Sequence, residues 1–144
     1  MAGIQTIGTT FTMKKIAGED KDMVVANLTS IGEQSTEIEE IDVTTLDSPN
    51  GAKEYIAGAM DSGTVDFEGN VKTKGQVTAL DKVFTSRKNR DFVVCYPNGD
   101  TLDLNGYIST FKFGEATTDG LYTFGFTLKL SGKPKFTEGK NTPQ

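Results

Sequence analysis

The segment Leu121–Leu130, LYTFGFTLKL, alternates apolar and polar residues more strictly than any other part of the chain. A period of two puts the two sets of side chains on opposite faces of a β-strand, and an apolar set marks the face that a core buries. The segment therefore requires a sheet with one buried face. The residues predicted to line that face are Tyr122, Phe124, Phe126, Leu128 and Leu130.

Weaker alternation or short apolar runs predict the remaining strands. A Pro97-Asn-Gly-Asp100 sequence predicts a hairpin turn, and a change of apolar phase after it predicts a bulge near Gly106–Thr110. The predicted strands are Thr10–Ile16, Met23–Ile31, Glu37–Val43, Thr64–Val71, Phe92–Tyr96 and a bulged strand from Leu102 to Phe113. In Glu37–Val43 the apolar phase slips between Ile38 and Ile41.

One segment has helical spacing instead. Gln76–Ser86 carries one apolar stripe, which predicts a helix that covers a sheet. Thr73 and Gln76 have the spacing of a capping box. The stripe consists of Val77, Leu80, Val83 and Phe84. The predicted fold class is mainly β: a β-sandwich or barrel of about seven or eight strands with one flanking helix.

The 144 residues are enough for one domain, 1–144, with its own core. Residues 1–20 are interpreted as an N-terminal arm that leads into the first strand, and residues 131–144 as an extended C-terminal tail. Residues 42–62 are interpreted as a long connection, because strand patterning fades at the Ser48-Pro-Asn-Gly51 turn. Connections of this length are uncommon in compact domains.

Charge is divided along the chain. Residues 33–68 contain ten acids and one base, whereas residues 72–90 contain six bases and one acid, in a chain of net charge −5. Opposite patches of this kind suit either solvated faces or head-to-tail self-association. The acidic balance argues against tight binding of nucleic acid, which needs basic side chains.

Catalytic chemistry finds little support. The chain has no histidine, which excludes Ser-His and Cys-His pairs, and Cys95 lies in an apolar run typical of a buried strand. Glu37 with Glu39, and Asp66 with Glu68, are each predicted to share a strand face. Such pairs suit a carboxylate-pair hydrolase or a calcium site, but calcium-loop spacing is absent. We expect no catalytic residue, metal site or cofactor.

Glu37–Asn70, EIEEIDVTTLDSPNGAKEYIAGAMDSGTVDFEGN, resembles the signature of the major tail tube proteins of long non-contractile-tailed bacteriophages. The P-N-G-D turn, GYISTFKFGEAT and TLKLSGKPKF are similar to that family as well. The resemblance covers Met23–Phe136. Tubes of contractile tails and of type VI secretion systems are related to this family, so a contractile relative stays open at this point.

The resemblance implies a structural virion protein, located in the tail and assembled in the host cytoplasm. Its subunits would form stacked hexameric rings around the tape-measure protein, and would also contact tail terminator and distal tail proteins. Genomic DNA would pass through the lumen without specific binding, and no membrane would be involved. Alternatives from other classes are a monomeric β-sandwich module that binds carbohydrate or another ligand, and a carboxylate-pair hydrolase.

Two sets of residues acquire roles from this resemblance. The connection would become an inter-subunit loop, with Tyr55 and Ile56 as contact residues. Its candidate residues are Asp42, Thr44, Leu46, Asp47, Ser48, Pro49, Asn50, Gly51, Tyr55 and Ile56. An acidic lumen would repel the DNA backbone. Its candidate lining is Glu37, Glu39, Asp66 and Glu68, for which the outer surface is the alternative.

Overall fold

The computed structural model describes residue 3, residues 5–72 and residues 74–139. Helix α1 spans Gln76–Ser86, and a 3-10 turn spans Pro49–Gly51. The strands are β1 (Thr10–Met13), β2 (Met23–Val24), β3 (Leu28–Ile31), β4 (Glu37–Asp42), β5 (Tyr55–Asp61), β6 (Thr64–Asn70), β7 (Arg90–Cys95), β8 (Thr101–Phe113), β9 (Thr123–Leu130) and β10 (Lys135–Thr137). The chain is mainly β with one α-helix among its described residues, which confirms the predicted fold class.

Eight strands form one antiparallel sheet in the order β2-β1-β7-β8-β9-β6-β3, with β10 added to β8. The sheet curls on itself. Phe11 on β1 and Phe67 on β6 are separated by three strands in this order, yet their ring centroids are 4.3 Å apart. We call the curled sheet and its helix the body. The strands β4 and β5 form a second, separate sheet.

A bent segment closes the body. Val25 N donates to Phe11 O at 2.8 Å and Asn70 N donates to Asn27 O at 2.9 Å, so one segment bonds to both ends of the sheet. Asn27 adopts a positive φ of 63°, a conformation that asparagine tolerates better than most residues. The single strand predicted over Met23–Ile31 is therefore wrong: this bend divides it into β2 and β3.

The core is built on phenylalanine. Phe11, Phe67 and Phe92 are 0% exposed and Phe126 is 1% exposed. Phe67 stacks on Phe126 with centroids 4.7 Å apart, and Phe11 stacks on Phe92 at 5.3 Å. Each buried aromatic side chain contributes about 1.5–3 kcal/mol through its burial. These rings join β1 and β7 to β6 and β9, and so hold the two halves of the curled sheet together.

The alternation that predicts β9 extends beyond the strand itself. β9 begins at Thr123, which pairs with Asn70, and its residues Phe124, Phe126 and Leu128 are buried as predicted. Tyr122 precedes the first ladder pair and is 64% exposed. Its assignment to the core face is therefore wrong: Val71 N still donates to Tyr122 O at 2.8 Å, but the side chain lies beyond the buried part of the sheet.

Helix α1 has the predicted boundaries and buries Leu80 and Val83 against the body. Its N-cap is Gly75, at φ 88°, and no side chain caps it. The predicted capping box does not form, since Gln76 is the first helical residue; Thr73 lies outside the described residues. The buried Gln76 side chain instead accepts from Ala26 N at 2.9 Å and donates to Ala26 O at 2.8 Å. This amide joins the start of α1 to the bend between β2 and β3.

The predicted hairpin and bulge are both present. Gly99 N donates to Tyr96 O at 3.0 Å and Gly99 has φ 96°, so the turn uses a glycine where a left-handed backbone is needed. The register between β8 and β9 shifts between Ile108 and Thr110. Ser109 is the inserted residue, and the insertion lets Ile108 and Phe111 both point inward.

The C-terminal tail is bound to the body by a short strand that the sequence did not predict, whereas β1 is shorter than predicted. Lys135–Thr137 forms β10, with Phe136 opposite Leu102 on β8, so part of the predicted extended tail over residues 131–144 is a strand that is bound to the body. The short strand was missed because three residues give no periodicity to detect. Residues 140–144 lie outside the described residues. At the other end, β1 stops at Met13 rather than at the predicted Ile16.

Candidate assembly surfaces

The last part of the predicted long connection is a strand. Tyr55–Asp61 forms β5, which pairs antiparallel with β4, so Glu37–Asp61 is a two-stranded ribbon joined by a tip. The interpretation of residues 42–62 as a loop is therefore wrong for its second half. The signal was weak because Ala57, Gly58 and Ala59 belong to types depleted in strands. Only residues 43–54 connect the two strands.

A bulge determines which side chains share a face of the ribbon. Ile38 pairs with Met60, but Glu40 pairs with Ala57, so Gly58 and Ala59 both lie opposite Glu39. Side chains alternate along β4, which places Ile38 and Ile41 on opposite faces. The slip of the apolar phase seen in the sequence thus corresponds to a real irregularity in the ribbon.

Each face of the ribbon carries one exposed apolar pair. On the first face are Ile38 and Met60, both 54% exposed. On the second are Ile41 and Ile56, which are 43% and 54% exposed. A Cβ placed on Gly58 would lie 3.0 Å from Ile41 Cδ1, which agrees with their common face. Neither face is covered by the body, because β4 and β5 share their extensive contacts only with each other.

Acidic residues surround these pairs. The ribbon and its tip carry seven carboxylates and one lysine, a net charge of −6 over residues 37–61. Glu37, Glu39 and Glu40 form no ion pair with any described residue, whereas Asp61 lies 3.9 Å from Lys129 Nζ. The pKa of Asp42 is held below its ordinary value, mainly by the hydrogen bond from Thr44 N. The ribbon therefore presents apolar surface among unpaired negative charges.

The tip is folded by its own hydrogen bonds. Ser48, 8% exposed, donates from Oγ to Glu54 Oε2 at 2.7 Å and accepts from Thr45 N at 2.9 Å. Glu54 N donates to Thr44 Oγ1 at 2.8 Å. The 3-10 turn over Pro49–Gly51 lies where the sequence predicts a turn. These bonds fix the shape of the tip without help from the body.

The predicted inter-subunit residues divide between two places. Asp42, Tyr55 and Ile56 lie on the strands, with Tyr55 and Ile56 on opposite faces. Leu46 is fully exposed at the tip. The remaining predicted residues that belong to the tip are Thr44, Asp47, Ser48, Pro49, Asn50 and Gly51. Whether any of them contacts another subunit stays a prediction.

The candidate lumen residues lie on two different sheets. Glu37 and Glu39 share the second face of the ribbon. Asp66 and Glu68 share the exposed face of β6 on the body. There Thr127 Oγ1 donates to Asp66 at 2.8 Å, and Lys112 Nζ lies 3.5 Å from Glu68. The four residues therefore lie on two separate sheets, and of the pair on the body Glu68 is partly neutralised by Lys112.

The body offers a second surface, which sequence reasoning missed. A groove of about 860 Å³ runs between α1 and the loop that follows β1. Its walls contain Met13, Ile16, Met23, Ala79 and Val83, and its basic residues other than Arg90 are Lys21, Lys82 and Lys88. These three lysines form no ion pair with a described residue. We call this surface the lysine groove.

Arg90 holds one wall of the lysine groove in place. It is 6% exposed, and its guanidinium donates to Glu19 Oε1 at 2.6 Å and to Lys14 O at 2.7 Å. The hydrogen bond from Arg90, followed by one from Ile16 N, holds the pKa of Glu19 below its ordinary 4.5. The sequence placed Arg90 near a helix end; its partner Glu19 is 71 positions away, too far for any local pattern to show.

Catalytic groups are scarce in the part of the chain that the structure describes. It contains no cluster of three or more histidine, cysteine, aspartate or glutamate residues that could hold a metal ion. It also contains no helix long and apolar enough to span a membrane. Cys95 is half-buried in β7. What stands out is an uncovered ribbon and a groove of opposite charge, features of a structural subunit that associates with other chains.

The comparison with protein families also indicates a structural subunit. The family model described as "Lambda phage tail tube protein, TTP" matches residues 8–137. The chain belongs to this family, which is a family of structural tail tube proteins and not of enzymes. The resemblance to tail tube proteins is thus confirmed. A search of curated protein sequences found no match.

Solved structures share the fold. A chain from the tail of an empty GTA particle with C6 symmetry matches with a TM-score of 0.75 and 18% identity, over 94% of this chain and 100% of that one. The SPP1 tail tube protein matches with a TM-score of 0.67 and 12% identity, over 93% of this chain and 78% of that one. A third match is a chain of the PVC sheath-tube complex, which is an extracellular contractile injection system. Its TM-score is 0.66 and its identity 14%, over 94% of this chain and 92% of that one.

Proposed function

We propose that the chain assembles as hexameric rings that stack into the tail tube of a virion. The tube surrounds the tape-measure protein, ends at tail terminator and distal tail proteins, and forms the conduit for DNA ejection. Assembly takes place in the host cytoplasm. The family assignment gives the tail tube class, and the C6 symmetry stated for the similar GTA tail supports six subunits in a ring.

The uncovered ribbon carries this proposal. Two strands alone are marginally stable in water, and this ribbon exposes Ile38, Ile56 and Met60 at 54% each. A subunit that worked alone would gain nothing from such a ribbon and would risk aggregation. In a tube, neighbouring subunits cover the ribbon. The acidic faces keep the free subunit soluble until that happens.

Size-exclusion chromatography followed by negative-stain microscopy tests the proposal. We expect the purified chain to form rings or hollow tubes as its concentration rises. A monomer at every concentration, in the presence of tape-measure protein as well, would contradict it. Such a monomer that bound a glycan would instead support a ligand-binding module.

The tip gives a sharper version of this test. Deleting Leu46–Ala52 joins Thr45 to Lys53 and leaves a two-residue loop between strands that already meet at Thr44 and Glu54. We expect a folded subunit with native-like circular dichroism that forms no tubes. The control is Asp119→Ser, in an exposed turn outside the ribbon, which is expected to leave tube formation intact. Normal tubes from the deletion variant would show that the tip is not an assembly element.

The lumen assignment stays a prediction for all four candidate residues, and we test it on Asp66 and Glu68, which lie on the body. The charge reversal Asp66→Lys with Glu68→Lys is expected to leave tubes intact and to slow DNA ejection, since a basic wall attracts the phosphate backbone. Asp119→Lys, in an exposed turn, is the control. Unchanged infectivity of the double variant would place these residues outside the lumen.

A further inference from the structure

The two faces of the ribbon differ in their free charges. The second face, with Ile41 and Ile56, also carries Glu37 and Glu39, neither of which pairs with a described residue. The first face, with Ile38 and Met60, has Glu40 as its unpaired carboxylate beside Asp42, which already accepts from Thr44 N. The second face is therefore the more acidic of the two and is apolar at its centre.

The lysine groove has the complementary character. Ile16 is 51% exposed in its wall, and Met23 and Ala79 are partly exposed beside it. Lys21, Lys82 and Lys88 border this apolar surface. Of the groove's two carboxylates, Glu19 is bonded to Arg90, which leaves Asp20 against three free lysines. The groove is thus apolar inside and basic at its borders.

Two other grooves on the body match the ribbon less well. The groove of about 530 Å³ between residues 6–9 and β3 has no charged residue among its lining. Another, of about 780 Å³, contains four lysines, but three carboxylates lie among them: Asp22, Asp91 and Asp103. Charge complementarity at an interface favours encounter and fixes register, and neither of these grooves offers it to an acidic ribbon.

We propose that the second face of the ribbon docks into the lysine groove of another copy of this chain. Ile41 and Ile56 meet the apolar wall formed by Ile16, Met23 and Ala79, while Glu37 and Glu39 pair with the lysines. This inference rests on the proposed function, because it identifies the partner and the surface through which the tube subunits join. It uses both charge blocks of the sequence in one heterologous contact, the type that either closes a ring of subunits or repeats along a stack of rings.

Cysteine crosslinking in assembled tubes tests this contact. The background variant is Cys95→Ser, which removes the only cysteine of the chain. Into it we place Ile56→Cys on the ribbon and Ala79→Cys in the groove. A disulfide requires Cα atoms within about 7 Å, so it reports direct docking. Under a mild oxidant, the assembled double variant is expected to form a reducible ladder of covalent multimers.

Met60→Cys combined with Ala79→Cys is the matched control. Met60 is as exposed as Ile56, at 54%, and lies on the opposite face of the same strand. We expect far less crosslinking from this pair. A ladder from Met60 equal to that from Ile56, or no ladder from Ile56 in tubes that are visible by microscopy, would overturn the docking. Absence of tubes in the unmodified protein would instead contradict the proposed function itself.

Charge reversal gives an independent measurement. Lys82→Glu with Lys88→Glu is expected to abolish tube formation, and so is Glu37→Lys with Glu39→Lys. Combining all four in one chain restores opposite charges across the contact and is expected to recover tubes. Circular dichroism and thermal unfolding confirm that each variant is folded. Failure of the combined variant to recover any assembly, although folded, would overturn the pairing of these two surfaces.

Discussion

The body and the ribbon differ in how far their apolar side chains are buried within one subunit. In the body, Phe67 on β6 is fully buried and stacks on Phe126 of the next strand. In the ribbon, Ile56 on β5 is 54% exposed and has no layer packed over it. Because burial of apolar surface is the dominant favourable term in folding, the body is stable within one subunit. The ribbon lacks such a core, so under the proposed function its stabilisation depends on another chain that covers it.

The largest contrast in stability is expected from the core. Phe67→Ala leaves a cavity beside Phe11 and Phe126, and should lower the free energy of unfolding by about 3–5 kcal/mol. Urea denaturation followed by circular dichroism measures it. Phe136→Ala, at a site 59% exposed on β10, is the control and should stay within about 0.5 kcal/mol. Equal losses at both sites would show that the body is not organised around the phenylalanine core.

Gln76 should give the next largest effect. Gln76→Ala removes both hydrogen bonds to Ala26 and leaves part-buried backbone groups without a partner, at a cost of about 1–3 kcal/mol. Thr78→Ala, on the exposed side of α1, serves as the control and keeps this joint. Thermal unfolding distinguishes the two. An unchanged melting temperature for Gln76→Ala would mean that the helix does not stabilise the bend between β2 and β3.

Glu19 adds a pH dependence to the body. Its pKa in the folded chain is lowered below 4.5 by Arg90, so the ionised form favours folding. This contribution to stability is fully present above the pKa that Glu19 has in the unfolded chain. It is lost as pH falls through the lower pKa that Glu19 has in the folded chain. We expect Glu19→Gln to flatten the fall in stability below pH 4.5, measured by urea denaturation at several pH values. A slope identical to that of the unmodified chain would contradict the role of the ion pair.

The smallest effect on the free subunit is expected in the ribbon. Ile56→Ala should change the free energy of unfolding by less than about 0.5 kcal/mol, because its side chain is already half in water. The same change should reduce the yield of sedimentable tubes, since it removes apolar surface that a neighbour covers. A large loss of subunit stability with normal tube yield would reverse the distinction between ribbon and body.

Much of the body could be predicted from local sequence. The apolar stripe gave α1 with its observed boundaries, and the phase change after Gly106 gave the bulge at Ser109. Periodicity reports such features because a helix or strand with one buried face repeats its apolar residues at fixed spacing. The exposed Tyr122 shows the limit, because the apolar pattern of the sequence continues beyond the last position that the core covers.

The ribbon could be predicted only in part, and the lysine groove could not be predicted. The Ser48-Pro-Asn-Gly51 turn was visible, but β5 was not, since its alanines and glycine carry no strand signal. The groove depends on the contact between Arg90 and Glu19, which are brought together only by the fold. Periodicity could not explain why one segment of the chain has no core of its own. The resemblance to tail tube proteins did, because it predicted that this segment contacts another subunit.

Hydrogen exchange of the ribbon, in the free subunit and in assembled tubes, tests the central claim most directly. Amides of β4 and β5 should exchange rapidly in the free subunit and become protected in tubes, while those of β6 and β9 should be protected in both. The amides of Ile41 and Ile56 pair within the ribbon ladder and are suitable reporters. A ribbon already as protected as β9 in the free subunit, or still unprotected in tubes, would contradict the account.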